Sequence, residues 1–166
     1  AEWGPLGTQT GDDGIWALDR CPLARPNTTW IHEYVHTRQA PRCEPSMRWF
    51  AEGTACYYAT LCSIRRGDID FDTGRRFLGR TSNPNVRLSD PGTWPSEQMK
   101  YLKGRRVTAA LDCEIRRHTD GVADLRTVWA HLNETFETVD FGNFQTALEE
   151  TIRDPDPLLA WTGRYV

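Results

Sequence analysis

Apolar residues recur along this chain at spacings of three and four in several separate stretches, which predicts a mainly helical protein. The richest stretch, 47–66, carries two stripes: Phe50, Thr54, Tyr57, Leu61 and Ile64 follow one face, while Trp49, Glu52, Cys56 and Ala59 follow its neighbour. A helix that is apolar or small around most of its circumference is a buried one, here with Ser46 as the expected N-cap and Gly67 as the stop. Ser96 is the expected cap of a long helix to about His118, striped by Tyr101, Gly104, Thr108, Leu111 and Ile115. Asp124 then caps a helix with Leu125, Val128, Trp129, Leu132 and Phe136 inward, and Asp140 caps one with Phe141, Phe144, Leu148 and Ile152 inward. A short helix is expected from about Thr73, irregular surface chain over 81–95, and an apolar end, Leu158 to Trp161, suited to docking on the body or on a further segment.

The N-terminal part breaks this pattern. Gly11-Asp12-Asp13-Gly14 lies between two short β-compatible runs, Trp3 to Thr10 and Ile15 to Leu18, which predicts a small hairpin. Asn27 or Thr28 offers an N-cap for a helix running to about Gln39, before Pro41 and Pro45 break the chain. With 166 residues and no shift in composition, one domain over 1–166 is expected: hairpin and loop over 1–26, two helices within 27–66, and a helical subdomain over 96–153.

A net charge of -3 without a basic block gives no reason to expect a nucleic-acid partner. No apolar run is long enough to cross a bilayer, so the segment is expected to be soluble as it stands. Five cysteines contain no C-x-x-C pair, which argues against a cysteine zinc site; Cys21 and Cys43 lie in loop-like sequence that allows a bridge in an oxidising compartment. The compartment itself stays open.

The candidate chemistry sits in His32-Glu33-Tyr34-Val35-His36. On a helix, histidines four positions apart share one face, where both imidazoles reach one Zn²⁺ while the glutamate between them serves as general base. Such an arrangement points to a metallohydrolase acting on a peptide or protein substrate. A third protein ligand is needed, leaving one position for water. His118 and His131 are remote and miss the H-E-x-x-H-x-x-G-x-x-H spacing, and Glu44 stands in a proline-flanked loop where an exposed acid is ordinary. Glu52, on the buried helix, needs a reason to be there, because a carboxylate in apolar surroundings is normally paired or metal-bound. Glu52 is therefore the expected third ligand.

Three blocks in order carry a family resemblance. His32-Glu33-Tyr34-Val35-His36 is followed by Trp49-Phe50-Ala51-Glu52-Gly53-Thr54-Ala55-Cys56-Tyr57-Tyr58, and then by Tyr101-Leu102-Lys103-Gly104 with Leu111-Asp112 and Ile115-Arg116. This resembles the gluzincin zinc metallopeptidases, closest to the glycyl aminopeptidase family, over about Trp30 to Leu132. The resemblance implies a thermolysin-like catalytic domain, a helical bundle around a zinc site. It implies His32, His36 and Glu52 as zinc ligands, Glu33 as base and Tyr101 as the hydroxyl that stabilises the oxyanion. Lys103, Tyr57 and Tyr58 read as structural.

Two departures qualify the substrate. The connection from His36 to Glu52 is shorter than the family's. The edge strand appears as Gly4-Pro5-Leu6-Gly7-Thr8, with Gly7 where the family places the acid that recognises a free amino terminus. The expected activity is thus a zinc-dependent peptidase, with the aminopeptidase form open. The rival expectation is a zinc-containing binding or scaffold module derived from a peptidase, with the metal holding helices together.

Overall fold

The computed structural model describes residues 9–11, 14–16, 24–39, 41–80 and 86–166. Seven helices make up most of the described residues: α1 (Thr29–His36), α2 (Arg48–Arg65), α3 (Phe71–Gly79), α4 (Met99–His118), α5 (Leu125–Thr135), α6 (Phe141–Thr151) and α7 (Asp156–Tyr165). Near the N-terminus, β1 (Gln9–Gly11) and β2 (Gly14–Trp16) pair antiparallel with Gly11 opposite Gly14. The rest of the expected hairpin, Gly7 included, lies outside the described residues, as does Cys21.

The second sheet is not a hairpin. β3 (Arg42–Cys43) and β4 (Thr138–Val139) run parallel, pairing Arg42 with Thr138 and Cys43 with Val139. No strand was expected at either place, because two residues are too few to show an alternation. The pairing has a purpose in the architecture: the Glu44 N–H donates to the Val139 carbonyl at 2.9 Å, which ties the start of α2 to the α5–α6 connection.

At the centre α2 lies against α4, with α1 on its other flank. Trp49, Phe50, Thr54, Cys56, Tyr57 and Ala59 of the two stripes are buried, while Leu61 and Ile64 near the end of α2 are half-buried. Two glycines set how closely the central helices meet. A β-carbon on Gly53 would stand 2.6 Å from the Gly104 carbonyl carbon and 2.6 Å from Thr108 Oγ1; one on Gly104 would stand 2.6 Å from the Trp49 carbonyl oxygen. Only glycine permits such backbone contact. Below the crossing, the Trp49, Phe50 and Phe144 rings meet with centroids 5.1–6.1 Å apart and lock α6 onto the first turn of α2.

Several helix ends fall elsewhere than the caps suggest. Residues Pro45–Met47 form a 3-10 turn, so α2 begins at Arg48 and Ser46 does not cap it; a proline at the first position suits that tight turn. α4 begins at Met99, whose N–H is taken by the Ser96 carbonyl rather than the Ser96 side chain. α1 ends at His36, and Arg38 and Gln39 continue with tighter bonds to the Val35 and His36 carbonyls. α3 begins at Phe71, capped by Asp70. Phe136 lies just past the last turn of α5, half-buried and packed against the core as expected. Asp124 and Asp140 do cap α5 and α6, and Gly67 follows α2 with φ +77°. The apolar end docks within the chain: Leu158, on α7, is fully buried in the same core as Leu111 and Leu148.

Candidate metal centre

Helix geometry places His32 and His36 one turn apart on α1, and the packing of α1 on α2 brings Glu52 against them. His32 Nε2 and His36 Nε2 are 3.0 Å apart, and Glu52 Oε2 is 3.2 Å from the first and 3.3 Å from the second. Among the described residues this is the one group of three able to hold a metal ion. Zn²⁺ bonds of about 2.0–2.1 Å in a tetrahedral shell separate neighbouring ligand atoms by about 3.3 Å, so the spacing fits that ion.

The surrounding hydrogen bonds decide what those three atoms offer. His36 Nδ1 lies 2.7 Å from Gln39 Oε1, while Gln39 Nε2 donates to the Ala51 carbonyl at 2.9 Å. The amide nitrogen is committed to a carbonyl, so its oxygen faces the imidazole and His36 Nδ1 is the donor. His32 Nδ1 donates in the same way to Asn27 Oδ1 at 2.8 Å. Asn27 holds φ +51°, a left-handed conformation that asparagine adopts more readily than most residues. Both Nε2 atoms therefore present lone pairs, and with Glu52 Oε2 they form a cluster of acceptors that a cation must complete.

Charge follows the same logic. Burial raises the Glu52 pKa, but hydrogen bonds and charge from His32 and His36 outweigh it and hold the carboxyl well below the usual range. For His36 burial works downward, and the Glu52 hydrogen bond and charge overcome it, leaving the pKa raised. The pocket favours a positive charge, whether a proton or a metal.

Glu52 divides its oxygens. Oε2 faces the histidines, while Oε1 accepts from the Tyr101 hydroxyl at 3.1 Å and stands 3.9 Å from Lys100 Nζ, which is also 3.5 Å from Glu97. Burial and the Glu52 charge push the Tyr101 phenol pKa up, so it remains a protonated donor. Glu33, half-buried, lines a cleft of about 730 Å³ together with His32 and Tyr101. The glycine contact explains the meeting of Glu52 and Tyr101: Gly53 follows the one and Gly104 lies a turn beyond the other, so close backbone approach sets the carboxylate against the phenol.

Residues set aside in the sequence are occupied elsewhere: His118 approaches Glu114 at 3.7 Å and His131 pairs with Glu150 at 2.7 Å. Lys103 donates to the Val86 carbonyl, a structural tie. Cys56 Sγ lies 3.7 Å from His32 Nδ1, on the side away from the lone pairs, and burial foremost pushes its thiol up to about 12, which keeps it protonated. Asn27 and Gln39 were missed by sequence reading, since an amide five residues before or three after a histidine has no distinguishing pattern. No family model, curated protein or solved structure matches this chain.

Proposed function

We propose that this chain is a zinc-dependent peptidase, with His32, His36 and Glu52 as metal ligands, Glu33 as general base and Tyr101 as oxyanion donor. The observation that carries the reading is the convergence of two imidazole lone pairs and one carboxylate oxygen at separations of 3.0–3.3 Å beside an open cleft that also contains a second glutamate. A structural zinc closing helices together needs four protein ligands; three leave a position for chemistry.

When bound, zinc supplies Lewis acidity to the scissile carbonyl and lowers the pKa of water toward about 7. Glu33 takes the proton of the attacking water and passes it to the leaving amine. Tyr101, held protonated beside Glu52, donates to the charged tetrahedral oxygen, and losing such a donor typically costs about 100-fold to 1,000-fold in turnover. The aminopeptidase form of this reading rests on the resemblance alone, and Gly7 lies outside the described residues.

The decisive test is Glu33→Gln measured against a broad peptide library. It is expected to keep stoichiometric zinc and to lose hydrolysis; unchanged turnover would remove Glu33 as base. Tyr101→Phe is expected to lower kcat far more than it raises KM. Paired free and N-acetylated peptides separate aminopeptidase from endopeptidase, and a wild type that holds zinc yet cleaves nothing in the library would favour the binding module.

A further inference from the structure

One side chain in the cleft lacks the partner its burial demands. Arg105 stands one turn beyond Tyr101 on α4, is only 7% exposed, and lines the same cleft as His32, Glu33 and Tyr101. Its Nε is buried without a hydrogen-bond partner. Its visible support is the Phe77 ring, whose centroid lies 3.9 Å from Cζ. A cation over an aromatic face, even when desolvated, gains less than an ion loses on leaving water. A guanidinium that lines an open cleft while its Nε is buried without an acceptor is the state expected of a site whose anion arrives with the ligand.

The rest of the cleft bears on the sign of that ligand. Glu97 is matched by Lys100, and Arg25 adds a further cation, donating to Thr29 Oγ1 at 2.5 Å; Glu33 is the acid the chemistry uses. Beyond Phe77 and Pro26, which line both, an adjoining groove carries Arg75, Arg76 and Arg80.

We propose that Arg105 binds a carboxylate of the substrate, making this a site for peptides that present a carboxylate to the cleft. The inference rests on the peptidase reading for the word substrate, but not for the binding itself. The planar fork of Arg105 suits bidentate capture of a carboxylate, supplied either by the peptide's C-terminus or by an Asp or Glu side chain. Arg105 acts on recognition, so its removal raises KM for such peptides more than it lowers kcat.

The test uses zinc-loaded protein and alanine pentapeptides in four forms: C-terminal acid, C-terminal amide, and amides with one Glu or one Gln. Wild type is expected to bind, by calorimetry, and to cleave one carboxylate form at least tenfold better than its neutral twin, and the preferred form identifies the source. Arg105→Gln is expected to abolish that preference. Arg105→Lys is expected to reduce it several-fold, and this variant decides the matter should Arg105→Gln lose its helical circular dichroism. Equal handling of acid and neutral peptides by wild type, or an undiminished preference in folded Arg105→Gln or Arg105→Lys, overturns the proposal. Carboxylate-dependent binding without cleavage keeps Arg105 in this role and sinks the peptidase reading; cleavage indifferent to carboxylates does the reverse.

Discussion

Two polar clusters sit on the same pair of helices and obey opposite rules. Around Asp112 every acceptor has its donor: Oδ2 receives the Tyr57 hydroxyl at 2.7 Å and Arg116 Nε at 2.9 Å, and Oδ1 receives the Leu125 N–H at 2.8 Å. Arg116 continues to Asp124, the cap of α5. Five residues earlier on α2 than Tyr57, the Glu52 cluster gathers lone pairs faster than it gathers protons. A satisfied network holds helices in place, whereas an unsatisfied one stores affinity for something absent from the chain.

The contrast has its sharpest consequence in a pair of substitutions. Glu52→Ala is expected to lower zinc affinity by at least 100-fold, beyond the 10–100-fold typical of losing an outer partner of a ligand, with a smaller loss of zinc-free thermal stability than Asp112→Ala shows. Asp112→Ala is expected to leave zinc stoichiometry intact at low temperature and to cost about 3 kcal/mol, the lower end for a broken buried charged pair because Arg116 is half-exposed. Zinc titration and thermal unfolding of both variants check this. If the two exchange phenotypes, the assignment of one cluster to function and the other to structure is wrong.

Gly104→Ala tests whether the clusters share one mechanical support. The added methyl meets the Trp49 carbonyl oxygen at 2.6 Å, so α4 must shift against α2. Overpacking of this kind costs about 1–3 kcal/mol. Because Tyr101 and Asp112 both ride on α4, stability and turnover should fall together, with zinc affinity least affected since all three ligands lie on α1 and α2. Loss of stability with unchanged kcat would mean that the glycine contact does not position Tyr101.

How much of this was legible beforehand follows from what kind of signal each feature leaves. The helices were visible because Trp49, Phe50 and Tyr57 on α2, or Leu111 and Ile115 on α4, repeat at helical period and are buried. His32, His36 and Glu52 were visible because their spacing and an acid among apolar neighbours are themselves unusual. Asn27, Gln39 and Arg105 were not: an amide or an arginine is ordinary in any sequence, and its meaning appears only when the chain carries it to an imidazole or leaves it buried without an anion. The parallel pair Arg42–Cys43 and Thr138–Val139 was hidden for a related reason, since it joins segments far apart in the chain through backbone atoms that every residue possesses.

The smallest expected effect concerns protons. Glu52 in the fold sits below its ordinary 4.5, so its contribution to stability is present above that pH and is lost as pH falls through the folded value. His36 sits above its ordinary 6.5, so its contribution is complete below 6.5 and disappears as pH rises through the folded value. Zinc-free protein should thus lose stability as pH rises from 6.5 through the raised His36 value. Zinc must displace the proton that His36 retains, so its affinity should rise about tenfold per pH unit over the lower part of that range and level off once the imidazole is neutral. The two trends oppose each other, and the gain in Tm on adding zinc should widen as pH rises. Glu52→Ala removes the anion that raises the His36 pKa and should flatten the zinc-free trend, leaving the Asp112 cluster, which contains no histidine, unaffected. A zinc-free Tm that keeps falling across the same pH range in that variant would place the titrating group outside the candidate metal centre.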